Sequence, residues 1–197
     1  MVTNTTRRAV LAGLASFAAL KPAFAVSTSA SEDLVRKMVA EITKVVNSGQ
    51  SDKAMFRDFE KLLSQYADLP TIARYSLGVA ARSASASELK SYTAAFQGYI
   101  ARKYGQRFRE FIGGTVEIKR TRDDGKYVVV SSTAKLRGKS PFAVDFFVSD
   151  RSGSVKVFDV SIEGIRLLTS ERTEIGAIYD QVGQDIGKLT AELKRRS

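Results

Sequence analysis

Apolar residues recur at helical spacing through the first half of the chain and at alternate positions through much of the second. Leu34, Val35, Met38, Val39, Ile42, Val45 and Val46 share one helical face, with a candidate capping box at Ser29 to Glu32 before them and Asn47-Ser48-Gly49 after. Ser51 opens a second helix carrying Met55, Phe56, Phe59, Leu62, Leu63 and Tyr66. Asp68-Leu69-Pro70 sets a proline near the first turn of a short third helix, which Gly78 closes. Ser85 to Glu88 is a capping box for a long fourth helix, whose stripe runs from Leu89 through Phe96 and Tyr104 to Phe111 and stops at Gly113-Gly114. From Thr115 the period falls to two. Segments Thr115–Thr121, Lys126–Arg137, Phe142–Val148 and Ser154–Ile162 read as strands, and short turns such as Asp123-Asp124-Gly125 make them a four-stranded antiparallel meander. Helix resumes near Thr169, breaks around Gly183 and ends with Ile186, Leu189 and Leu193 on one face. The pattern predicts one α+β domain over residues 26–197.

The strands depart from simple alternation. Phe142, Val144, Phe146 and Val148 point one way, yet Phe147 points the other. In the fourth strand Val155 and Val157 fall opposite Phe158, Val160 and Ile162. A sheet with one wet face would not carry apolar residues on both. Two arrangements satisfy this: helices on both faces, or a curved sheet closing on an apolar pocket.

The first 25 residues read as a leader. Arg7 and Arg8 precede the apolar run Ala9 to Leu20, and Ala23-Phe24-Ala25 is a small-x-small cleavage signal. Twelve helical residues rise about 18 Å, short of a bilayer core of roughly 30 Å. Thr6-Arg7-Arg8-Ala9-Val10-Leu11 has the look of a twin-arginine signal, and a general secretory signal is the alternative. Cleavage after Ala25 lowers the net charge from +10 to +7, with 28 basic and 21 acidic residues left. That balance favours encounter with anionic surfaces.

Composition narrows the chemistry. The chain has no Cys and no His. Ser–His and Cys–His nucleophile pairs, thiolate or imidazole zinc sites and disulfides are thereby excluded. Carboxylates, lysines and tyrosines remain.

The segment from Asp68 to Gly78, the helix from Glu88 to Tyr104, and Val155-Lys-Val-Phe-Asp-Val-Ser-Ile-Glu-Gly-Ile-Arg-Leu-Leu168 with Arg172, Ile175 and Gly183 after it form an ordered set. Together they resemble the MlaC or toluene-tolerance family, the soluble periplasmic phospholipid-binding proteins of the Mla lipid-transport system. The likeness spans roughly Glu32 to Leu193. Val79-Ala80-Ala81-Arg82 departs from the family's usual aromatic and basic pair after Leu-Gly, and Val155-Lys156 from its usual Trp. The resemblance implies a cone similar to nuclear transport factor 2, with a curved sheet and helices around a deep apolar cavity. It implies a periplasmic, monomeric, non-enzymatic carrier with no cofactor and phospholipid as cargo. Its partners would be an inner-membrane ABC transporter complex and an outer-membrane lipoprotein–porin complex, with only peripheral membrane contact.

Exposing two acyl chains of about 30 methylenes to water costs roughly 24 kcal/mol at about 0.8 kcal/mol each. A carrier must offset most of that with apolar wall. The candidates are Ile72, Tyr75 and Leu77 on the third helix; Phe96, Ile100, Tyr104 and Phe108 on the fourth; and Ile175, Ile178, Tyr179 and Val182 near the C-terminus. From the strands come Val130, Phe142, Val144, Phe146, Phe158, Val160 and Ile162. Arg74, Arg102 and Arg107 are candidates for the head group, with Lys103 and Arg109 beside them. Two other functions remain open: carriage of another apolar lipid such as a hopanoid, and an enzyme on the same cone using Asp145 or Asp159 from inside the pocket. Tyr99 to Arg109 interleaves basic and aromatic residues as a nucleic-acid platform does, but a helix turns those aromatics inward, and no nucleic-acid partner is expected.

Overall fold

The computed structural model describes residues 26–197, except for the side chain of Phe108. The leader therefore lies outside the described residues. Six helices and a five-stranded antiparallel sheet follow in chain order: α1 (Thr28–Val46), α2 (Asp52–Tyr66), α3 (Leu69–Leu77), α4 (Ala86–Gly105), β1 (Thr115–Asp123), β2 (Val128–Lys135), β3 (Phe142–Ser149), β4 (Lys156–Ile162), β5 (Ile165–Arg166), α5 (Leu167–Gln181) and α6 (Ile186–Arg196). The meander is the one the turns predict, extended by the two-residue β5.

Local chemistry sets most of the boundaries. Ser51 and Asp68 cap α2 and α3 through Ala54 N and Thr71 N. Ser85 and Glu88 form a complete capping box at α4. The α1 cap is a correction: Ser27, not Ser29, accepts from Ala30 N, and Glu32 is instead bonded to Arg36 and Thr121. The fourth helix is also shorter than its stripe suggests. It ends at Gly105, and a 3₁₀ turn over Phe108–Phe111 carries the chain to β1. A Cβ on Gly105 would sit 2.6 Å from the Phe56 ring, so the bare glycine is what lets α2 and α4 approach here.

A second correction concerns β4. Phe147 pairs with Asp159 and Val148 with Val157, which leaves Phe158 as an extra residue in a bulge. The bulge resets the alternation. Val157 joins Val160 and Ile162 on the inner face, where strict alternation would have opposed them. On the outer face the rings of Tyr127, Phe147 and Phe158 pack on one another, with the Arg166 guanidinium 3.6 Å above Phe147. That small cluster accounts for the apolar residues on the outward side.

Two apolar clusters build the interior. One joins α1 and α2 to the inner face of the sheet through Val35, Met38, Phe59, Val130, Phe146 and Val148. The other joins α3, α4, α5 and α6 through Ala73, Leu77, Tyr92, Phe96, Ile175, Ile178, Leu189 and Leu193. Specific hydrogen bonds cross-link the elements. Tyr66 donates to Glu41 at 2.7 Å, tying α2 to α1, and burial with that carboxylate pushes its phenol up to about 12. Asp68 N donates to Val157 O at 2.8 Å, fixing the α2–α3 corner to β4.

Candidate functional site

A cavity of about 830 Å³ opens along the seam between the two clusters. That is toward the upper end of small-ligand pockets, about 300–1,000 Å³. Its wall is mostly hydrocarbon. Met38, Val39, Ile42 and Val46 come from α1; Phe59, Leu62, Leu63 and Tyr66 from α2; Phe96, Ile100 and Tyr104 from α4; Phe142, Val144, Phe146, Val160 and Ile162 from the sheet. Ile72 of α3 and the bulge residue Phe158 border it too. The exposed members of the lining are Thr43, Gln106, Arg107, Glu110, Thr115 and Lys139. They come from the C-terminal ends of α1 and α4, the 3₁₀ turn, the start of β1 and the β2–β3 turn, where Asn47 Oδ1 accepts from Gly113 N and Lys139 meets Glu110 at 2.5 Å. This rim is the mouth.

Gly114 belongs to that rim. A Cβ there would lie 2.8 Å from Leu136 Cδ2 and 3.0 Å from the carbonyl oxygens of Lys135 and Phe111. Because two of those contacts are backbone, Gly114→Ala is expected to cost about 1–3 kcal/mol by overpacking. A urea midpoint lowered with unchanged slope is the measurement.

The wall carries one polar cluster. Glu171 is only 3% exposed. Its Oε1 accepts from Lys103 Nζ at 2.7 Å and from Tyr104 OH at 2.5 Å, while its Oε2 has no partner among the described residues. Lys103 also reaches Glu174 Oε2 at 2.6 Å, and Tyr99 donates to the same carboxylate. Burial alone would lower the Lys103 ammonium, but the two carboxylates outweigh it and hold its pKa above the usual value. Burial pulls Glu174 upward, and Lys103 with Tyr99 more than reverses that. Burial and the neighbouring carboxylates push the Tyr99 and Tyr104 phenols up, so both stay neutral. Lys103, Tyr104 and Glu171 all line the cavity.

Ten of the wall candidates thus stand on the cavity: Ile72, Phe96, Ile100, Tyr104, Phe142, Val144, Phe146, Phe158, Val160 and Ile162. Arg107 stands at its mouth. The others lie elsewhere. Val130 is sealed in the first cluster, and Leu77, Ile175 and Ile178 in the second, with Tyr179 and Val182 packed on it. Tyr75 and Arg74 turn to a separate cleft between α3 and α5. Arg102 donates to Ser197 O at the C-terminus. The Phe108 side chain lies outside the described residues. Of the two strand carboxylates, Asp159 is buried at the cavity edge and fully engaged: it is paired with Arg166, and its Oδ1 accepts from Val160 N and Leu168 N, supplying α5 with an N-terminal acceptor. Asp145 does not line the cavity. No group of three or more Asp and Glu residues among the described residues is placed to hold a metal.

Helices and a bulged sheet around an apolar cavity with a polar rim define a binding protein for an apolar ligand. The chain belongs to the MlaC protein family, whose pattern matches residues 34–195. Its fold is similar to that of the phospholipid-binding protein from Ralstonia solanacearum, solved in complex with a phospholipid at 1.53 Å. The TM-score is 0.72 at 21% identity, covering 84% of this chain and 96% of that one.

Proposed function

We propose that the protein carries phospholipid through the periplasm, with the acyl chains in the cavity and the head group at the mouth beside Arg107. The observation that carries this reading is the 830 Å³ apolar cavity open at one polar end. Cargo exchange would take place with an inner-membrane ABC transporter complex and an outer-membrane lipoprotein–porin complex, after removal of a leader over residues 1–25. The Lys139–Glu110 pair at the mouth is exposed on both sides, and such a pair is held only weakly.

Transport of this kind needs neither nucleophile nor metal. Asp159 already spends its oxygens on Arg166 and two backbone amides, which disfavours an acid–base role. The test is native mass spectrometry with organic extraction of protein purified from its own envelope. Stoichiometric diacyl phospholipid is the expected result. A hopanoid in its place would move the cargo class, and an empty protein that takes up no phospholipid from vesicles would end the proposal.

A further inference from the structure

On the reverse face of α3 from the cavity lies a second, shallower cleft of about 400 Å³. Three arginines border it: Arg74 on α3, Arg82 at the end of the 3₁₀ turn Gly78–Arg82, and Arg172 on α5. Among the described residues none of the three meets a carboxylate within 4 Å. Arg172 is held in place. Its guanidinium lies 5.1 Å from the centre of the Tyr75 ring and against Gly78, whose φ of +67° brings the backbone past it. Two apolar side chains stand out into solvent on the same patch, Tyr75 at 41% and Val79 at 69% exposed. Unpaired cations, a tyrosine and a protruding aliphatic side chain are the components of an interfacial membrane contact: basic groups meet lipid phosphates while the ring and the methyls enter the head-group layer.

We propose that this α3–α5 patch docks the protein on an anionic bilayer, with Arg74, Arg82 and Arg172 on lipid phosphates and Tyr75 and Val79 set among the head groups. A free phosphate ion would engage the arginines and leave Val79 idle, so the apolar pair selects a lipid surface. The patch is separate from the cavity mouth. Docking therefore holds the protein at a membrane without presenting the cargo to it, and the inference does not depend on what the cavity contains.

The test is flotation with vesicles of phosphatidylcholine containing phosphatidylglycerol, against phosphatidylcholine alone. Wild-type protein is expected to float with the anionic vesicles and to be released by salt. Each basic residue near such a surface is worth about fivefold, from about 1 kcal/mol, so the triple variant Arg74→Gln/Arg82→Gln/Arg172→Gln should bind on the order of a hundredfold more weakly. Val79→Asp should weaken binding with the arginines intact. A charge-matched control, Lys126→Gln/Arg151→Gln/Lys188→Gln, removes three exposed cations elsewhere and should lose far less. Circular dichroism melts and extracted lipid content report whether the variants stay folded and loaded. Patch variants that float like wild type, or a control that loses as much, would overturn the proposal and leave the patch to an acidic protein surface.

Discussion

Lys103→Met is expected to lower stability by about 3 kcal/mol, because it leaves the Glu171 carboxylate buried without its cation. For a chain of this size that is a fall in melting temperature of roughly 6–12 °C. Lys103 is the hub: one ammonium serves Glu171 and Glu174, and its side chain is only 29% exposed. Removing both ends of the inner pair is another matter. Lys103→Met with Glu171→Leu should recover part of the loss, since an apolar pair of similar volume replaces an ionic one while Tyr104 OH is left without its acceptor. The pH profile follows from the same groups. Lys103 has a raised folded pKa, so its stabilisation is complete below 10.5 and fades as pH rises through the higher folded value. Glu174 has a lowered folded pKa, so its share is present above 4.5 and is lost as pH falls through the lower folded value. Lys103→Met should flatten both limbs, as read from denaturation midpoints across pH. A double variant no better than Lys103→Met would sink this account of the hub.

The second large effect separates cavity wall from packed core. Ile100→Asp puts a carboxylate where lipid would lie but where water enters an emptied cavity, so the chain should fold and fail to retain phospholipid. Setting an ionised carboxylate against hydrocarbon costs several kcal/mol, which corresponds to a loss in affinity of more than about a hundredfold. Val130→Asp puts the same group at a fully buried position of the first cluster that does not line the cavity. Its cost of several kcal/mol is comparable to the whole stability of an ordinary domain, so this variant should not fold. Thermal melts and extracted lipid, measured on both, check the pair. An Ile100→Asp protein that keeps its phospholipid would place the acyl chains elsewhere.

Val130 and Ile100 also show where the sequence stops being legible. Both sit in apolar periodic segments, and periodicity reports only that a side chain avoids bulk water. It does not say whether the neighbour is another side chain or a void. For the same reason the stripes of α1 and α2 read clearly as helix faces, while the share they give to the cavity wall through Met38, Ile42, Phe59 and Leu62 is visible only once both cores are assembled. The bulge at Phe158 escapes because it is defined by the partner strand, which local alternation does not contain. Glu171 left a fainter trace. It lies four residues before Ile175 and seven before Ile178, on the buried stripe of α5, and a lone carboxylate in an apolar stripe is a flag for a buried partner. The caps, the turns and the order of the elements were plain from Ser51, Asp68, Ser85 and Asp123-Asp124-Gly125, because each acts on backbone within three residues of itself.

The cavity lies between two cores that are each packed in their own right, and that placement couples occupancy to stability. Filling it breaks no close-packed contact, so a guest adds its binding free energy to the folded state directly, about 2.7 kcal/mol when free ligand stands at a hundred times its dissociation constant. A melting temperature measured on this protein is consequently a reading of its load. Stripped and filled preparations will denature at different points, and empty chains will be the first to yield to proteases.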